Sequence, residues 1–307
     1  MQVFLFLIVS IAWGLTWYAI HLQLGLTPDV VSVFWRFALA AAGTWLILLA
    51  TRKVRRVRPR QHFWFSAMGL TLFSGNFLLF YSAEHDIPSG LVSVIFSMAT
   101  VFNVLNQWLF HKIRPGWRVL VGGVLGIAGV GLLFADQVTA PGGTHYVRGV
   151  LLAMAGTCSF SLGNLASRRA TADGTNLPNA IARGMSWGAL ILASVVFIGG
   201  YRYMPHVSAA YLGGLAYLVL IGSIVGFFAY LSLVARIGPS HAAYVTVISP
   251  IIALVLSSIL ESYAWTWRAL LGVPFILAGN LVIFAPIPLA GIAKTPALET
   301  PDRVNST

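Results

Sequence analysis

Long apolar runs, continuous and separated by short polar breaks, fill this chain almost from end to end. A helix crosses a bilayer core with about 20 apolar residues. Ten runs are of about that length: residues 2–21, 29–50, 63–83, 89–110, 117–135, 148–167, 178–199, 209–234, 240–260 and 267–286. Strands of a closed membrane barrel alternate apolar and polar side chains, and these runs do not. Only helices and closed barrels satisfy their backbone in hydrocarbon, so the pattern predicts an all-α membrane protein of ten transmembrane helices.

The pattern is also written twice. Trp117-Arg118-Val119-Leu120, followed by Gly122, Ala128, Gly129 and Phe134, recurs as Trp267-Arg268-Ala269-Leu270, followed by Gly272, Ala278, Gly279 and Phe284, at an offset of 150. Each copy holds five spans, an odd number, so the second copy is expected to enter the bilayer upside down. The predicted units are a first five-helix repeat over 1–140 and an inverted second repeat over 147–287. A short cytoplasmic tail over 288–307, rich in proline and poor in apolar residues, is expected to be disordered. An inverted repeat in a membrane points to a transporter with its site between the halves.

Composition narrows the class. Hydrophobic residues make up 58% of the chain and charged residues 9%, against roughly 25% charge in a soluble domain. No polar stretch is long enough to form a soluble domain. The net charge of +11 does not indicate nucleic acid, because the basic residues cluster in short loops. With the N-terminus placed inside, fourteen of the nineteen Lys and Arg fall on the cytoplasmic side, including Arg52, Lys53, Arg55, Arg56, Arg58 and Arg60 in one loop. Only Arg148, Arg202 and Arg268 fall on the other, together with Asp29, Glu84, Asp86, Asp136 and Glu261. That asymmetry predicts N-in, C-in. The first span has no basic leader or small-residue cleavage site and is expected to be a retained helix. The single Cys158 excludes an internal disulfide.

Trp13-Gly14 in the first span, Arg36-Phe37 in the second, Ser249-Pro250 in the ninth and Glu261 at its end, with a glycine-rich last span in each copy, resemble the drug/metabolite transporter superfamily. The resemblance is to its EamA branch of two five-helix domains and covers roughly residues 1–286. Thr100 and His111 stand where the fourth helix of that family often has Pro and Glu. The resemblance implies a bacterial inner-membrane exporter of small metabolites, commonly amino acids. It also implies a central cavity lined by the first, third and fourth helices of each copy.

Helical spacing selects residues for such a path. Ser10, Trp13 and Trp17 share a face of the first span. Ser74, Phe77, Tyr81 and Glu84 share one of the third, which Ser223, Phe227 and Tyr230 repeat in the eighth. Ser93, Ser97, Thr100 and Gln107 form a polar stripe in the fourth, with Asn103 at its edge. Asn164 aligns with Trp17 at an offset of 147, and Tyr244 completes the set in the ninth span. A polar stripe in lipid serves either a water-filled path or hydrogen bonding between helices. Packing suits Ser and Thr, and the path suits Gln107, Asn103 and Asn164. Arg36 and Arg183 are mates at an offset of 147, each inside a span. They serve either as clamps on backbone carbonyls or as attractors of a carboxylate during entry and exit. Gly122 and Gly126 form a small-xxx-small face for close helix packing, on this chain or on a second one.

No acid lies near a span centre, Glu84 and Glu261 standing at span ends, so coupling through a buried carboxylate is not expected. The histidines are scattered, and no metal or cofactor is implied. The expected function is export of neutral amino acids, aromatic ones included, by alternating access through a partly aromatic cavity. A carrier of anionic or phosphorylated metabolites using the two arginines stays open. An intramembrane enzyme is disfavoured, since neither G-x-S-x-G, nor H-E-x-x-H, nor a membrane acid pair is present. The expected partners are a small-molecule substrate and the bilayer. Two intact copies make a monomer sufficient, and a dimer stays open.

Overall fold

The computed structural model describes the backbone of residues 2–139, 143–242, 244–263 and 265–284, and of these the side chains of all but 136–139, 239, 240 and 284. The tail expected over 288–307 and the Asp136 side chain lie outside the described residues.

The described residues are built from helices alone: α1 (Gln2–His21), α2 (Asp29–Ala50), α3 (Gln61–Leu72), α4 (Gly75–Glu84), α5 (Ser89–Phe96), α6 (Ala99–His111), α7 (Trp117–Thr139), α8 (Gly143–Thr171), α9 (Leu177–Ile198), α10 (Ala209–Tyr217), a π-helical stretch (Leu218–Val225), α11 (Gly226–Ala242), α12 (Val245–Leu260) and α13 (Trp267–Phe284). Grouped by span, eight are long and apolar enough to cross a membrane, and two shorter apolar helices, Val245–Leu260 and Trp267–Ile283, complete the set. Polarity runs from the outside in. Leu46, Val124 and Phe197 are among the large apolar side chains on the surface, whereas Gln23, Asn76, Asn103, Asn164 and Asn280 are buried. That distribution suits a bundle whose solvent is hydrocarbon.

Three spans are interrupted. The third breaks between α3 and α4 at Phe73–Ser74, where the Ser74 hydroxyl donates to the Gly69 and Leu70 carbonyls at 2.8 and 3.1 Å. The fourth breaks between α5 and α6 at Ser97–Met98, although it carries no proline; the Ser97 hydroxyl donates to Val94 O at 2.6 Å. In the eighth, α10 passes through the π-helical stretch into α11. Such stretches are rare and gather at functional sites. Gly238, with φ of 79°, then kinks α11. The ninth span therefore begins at Val245, later than its apolar run predicts.

The glycines of the last spans face each other within the chain. A Cβ on Gly129 would stand 2.8 Å from Gly272 O, and one on Gly272 2.7 Å from Gly129 O. Gly122 and Gly279 meet in the same manner, so α7 and α13 approach with their backbones in contact. The small-residue face packs on this chain's own helix. Elsewhere α2 lies along α9, α3 and α4 lie against α8, and α1 lies against α11 and α12. Helices of residues 2–139 thus pack against helices of residues 143–284.

Candidate functional site

The middle of the bundle is aromatic. Trp13 of α1 has ring centroids of Tyr230, Phe227, Phe160 and Phe96 at 4.7, 5.4, 5.8 and 6.1 Å. Trp17, one turn on, meets Phe80 and Phe96 at 5.2 and 5.4 Å. Most pairs are edge-to-face, a geometry that favours ring pairs by about 0.5–1.5 kcal/mol beyond burial. The rings enclose a cavity of about 30 Å³, lined also by Thr16, Ile20, Arg36, Asn76 and Phe77. That is room for roughly one water molecule, against roughly 300 Å³ or more for ligand pockets. The site is closed, and a metabolite enters only if the rings part.

Arg36 gives this apolar chamber its charge. It is 1% exposed, and its guanidinium lies 4.2 Å from the Phe77 centroid and 5.3 Å from that of Phe37. Its Nε donates to Ser223 Oγ at 2.9 Å, while its Nη1 has no partner. The π-helical stretch supplies Ser223 and also the Gly222 carbonyl, which accepts from Trp13 Nε1 at 3.2 Å. Two more lining groups are unpaired: the Trp17 Nε1 donor and the Asn76 Oδ1 acceptor. An unmade hydrogen bond on a buried group costs roughly 1–3 kcal/mol, more on a charged one. Three residues of the lining thus carry a buried polar atom without a partner: two donors, one of them cationic, and one acceptor.

Of the residues predicted from spacing, Trp13, Trp17, Phe77, Phe227 and Arg36 line this cavity. Tyr230 stacks behind them on Trp13 and Phe160. Tyr81 is fully buried one turn from Phe77, and its hydroxyl donates to Gln23 Oε1 at 2.7 Å. The fourth-span stripe divides. Ser97 and Thr100 face α13, Thr100 donating to Asn280 Oδ1 and Asn280 Nδ2 to Ser97 Oγ at 3.0 Å. These two hold helices together and do not line the cavity. Asn103 and Asn164 join a network between α6, α8 and α11: Ser161 Oγ donates to Asn103 Oδ1 at 2.8 Å, and Asn164 Nδ2 reaches Asn103 Oδ1 at 3.2 Å and Tyr230 Oη at 3.1 Å. Asn103 Nδ2 and Asn164 Oδ1 are left over. Gln107 is half-buried and donates to Asn103 O at 3.2 Å. Tyr244 lies half-buried just before α12, away from the chamber.

Arg183 stands at the loop end of the bundle, apart from its mate. Its Nη1 donates to Asn179 O and Oδ1 at 3.1 and 2.8 Å and its Nη2 to Arg55 O at 2.7 Å. Asn179 in turn holds Arg55 N and Lys53 O at 3.0 and 2.9 Å. The pair therefore pins the basic loop between α2 and α3, and only Arg36 reaches the cavity. At the opposite end Glu84 closes its span, as expected, and is only 7% exposed. Nearby, Ser89 at the start of α5 donates through N, at 3.1 Å, and through Oγ to the Glu261 carboxylate after α12.

Spacing alone missed Gln23, Asn76, Phe80, Phe96 and Phe160. Asn76 was within reach of sequence reasoning, as the one Asn in the third span. The phenylalanines carry no such signal among 19 in the chain.

The chain is similar to known proteins. A sequence profile of the EamA-like transporter family matches twice, over residues 1–135 and 147–285. The uncharacterized inner membrane transporter YedA of Escherichia coli (strain K12) is 26% identical over 81% of this chain and 79% of its own. A probable amino-acid metabolite efflux pump of the same organism is 25% identical over 89% and 91%. One solved crystal structure, 20% identical, shares the fold with a TM-score of 0.65 over 92% of this chain and 96% of its own. The apolar helices and these relatives make this a multi-pass protein of the bacterial inner membrane, and the chain belongs to the EamA-like transporter family.

Proposed function

We propose that the protein exports neutral amino acids, aromatic ones included, by alternating access of two inverted five-helix repeats, residues 1–140 and 147–287, with both termini inside. The observation that carries the substrate reading is the closed aromatic chamber in which the Arg36 Nη1 and Trp17 Nε1 donors and the Asn76 acceptor are unpaired. A carboxylate suits the two donors, an ammonium suits the amide oxygen, and an apolar side chain suits the rings. Arg36 is the one cation among the lining residues. A phosphorylated metabolite brings about two negative charges and would find a single counter-charge, which favours the monoanionic carboxylate.

The inverted repeat is supported by reciprocal packing: α2 meets its counterpart α9, α7 meets α13, and α1 meets the counterparts of the helices that α8 meets. The Gly122–Gly279 and Gly129–Gly272 contacts are what a two-fold axis through that pair of helices requires. The inside placement rests on the basic loop at Arg52–Arg60.

Counterflow in proteoliposomes tests the reading. Vesicles loaded with one unlabelled neutral amino acid are expected to accumulate the labelled one transiently, and Trp17→Ala is expected to slow this about tenfold or more. Equal competition by amines that lack the carboxylate, or no exchange with any amino acid, would overturn it.

A further inference from the structure

We propose that Glu84 is a proton-binding site, and that the outer end of the transporter closes only when this carboxyl carries its proton. The inference rests on the topology proposed above, which puts the α1–α2 and α4–α5 turns outside.

Among the described residues four acids gather at this end, and three have partners. Asp29 meets His85 Nε2 at 3.0 Å. Asp86 receives Arg148 through two bonds of 2.7 and 2.8 Å, with His145 at 3.6 Å. Glu261 receives the backbone N–H and hydroxyl of Ser89. Glu84 differs: both carboxyl oxygens are buried and neither has a partner. The charges that act on it are Glu261 beyond α12, then Asp29 and Arg36 of α2. Tyr81 is the other titratable group on its own helix. From α8 come Arg148 and His145, both committed to Asp86. Neither α5 nor the adjoining end of α3 brings a charge.

A bare carboxylate in a dry site, without donors, is among the costliest groups to bury. Glu261 nearby adds repulsion. In the closed arrangement Glu84 is therefore the neutral acid. Parting α4 and α5 from the Glu261 segment wets it, and it can ionise toward Arg36, whose Nη1 is open. To close again, the outer end must take up one proton from outside. The return step of the transport cycle then depends on external pH, and Glu84 supplies the carboxyl near the path that span position alone did not reveal.

Two measurements on the full-length protein in lipid vesicles test this. Infrared difference spectra at neutral pH are expected to show a protonated-carboxyl band that is missing in Glu84→Gln. Absence of the band in the wild type, or its persistence in Glu84→Gln, overturns the proposal whatever the substrate is. In counterflow, raising the outer pH past the titration midpoint is expected to slow wild-type exchange by up to about tenfold per pH unit, the limit for one proton. Glu84→Gln closes without a proton, so its rate is expected to be flat with pH. Exchange in the wild type that is indifferent to outer pH defeats the proton site and leaves amino-acid export standing. A Glu84-dependent infrared band without exchange of any amino acid does the reverse.

Discussion

Replacing Arg36 by Met separates the two roles a buried arginine can have. In the folded protein the guanidinium bonds Ser223 at 2.9 Å, worth about 1.5–3 kcal/mol, and lies beside the Tyr81 hydroxyl. It also sits over Phe77 at 4.2 Å, about 2 kcal/mol when desolvated. Against this stands the several kcal/mol that a fully desolvated cation costs, with Nη1 unpaired. The terms nearly cancel, and Met fills most of the same volume. Arg36→Met is therefore expected to change stability by no more than about 2 kcal/mol. At roughly 2–4 °C per kcal/mol, its melting temperature in detergent should stay within about 8 °C of the wild type. Substrate binding has no such cancellation. Losing the cation that meets a carboxylate removes about 1.5–3 kcal/mol, or roughly a 10- to 150-fold rise in the half-saturating concentration. The assay is counterflow at graded amino-acid concentrations, beside a thermal melt of the same preparation. A sharp fall in melting temperature with unchanged half-saturation in the surviving fraction would refute the reasoning and make Arg36 a structural clamp.

Gly129→Leu is expected to cost about 1–3 kcal/mol, because its Cβ would meet Ile276 Cγ1 at 2.6 Å; Gly131→Leu, on a face with open space, is expected to melt like the wild type. Asn179→Ala removes three side-chain bonds, to Lys53, Arg55 and Arg183; at about 1 kcal/mol per bond trypsin should cut the basic loop up to about a hundredfold faster, while exchange stays intact. Phe96→Ala opens the chamber beside Trp13, Trp17, Phe80 and Phe160. It is expected to lower stability by about 3–5 kcal/mol and to admit bulkier amino acids as competitors, read from their half-inhibitory concentrations.

What the sequence reveals follows from which forces act along one helix. Hydrocarbon thickness and apolar composition act locally, so span positions within residues 2–284 were readable, α2 at Asp29–Ala50 to the residue, whereas the ends of the sixth and the start of the ninth lie several residues away, at Gly143–Thr171 and Val245. Helical spacing likewise brought out Trp13, Trp17, Phe77 and Phe227, because one face of a helix meets one environment. Partners across helices were not readable in this way. Ser97 and Thr100 look like a polar path until Asn280 of α13, 180 residues from Thr100, takes up their hydroxyls. Arg36 and Arg183 align at an offset of 147 in the sequence, yet Ser223 holds one beside the chamber while Asn179 and Arg55 hold the other at the loop.

The same limit explains Glu84 and ties it to the site. A residue at the end of a span looks solvated when only its own helix is considered, and its burial is decided by what the rest of the bundle packs around it. The helix that carries Glu84 and its neighbour α5 also border the chamber, since α5 carries Phe96 and α4 carries Phe77 and Phe80. A chamber of about 30 Å³ cannot admit an amino acid unless such helices move apart, and that movement is what would expose Glu84. Substrate access and the protonation of one carboxyl are thus two consequences of a single displacement of α4 and α5, with Arg36 within electrostatic reach of both.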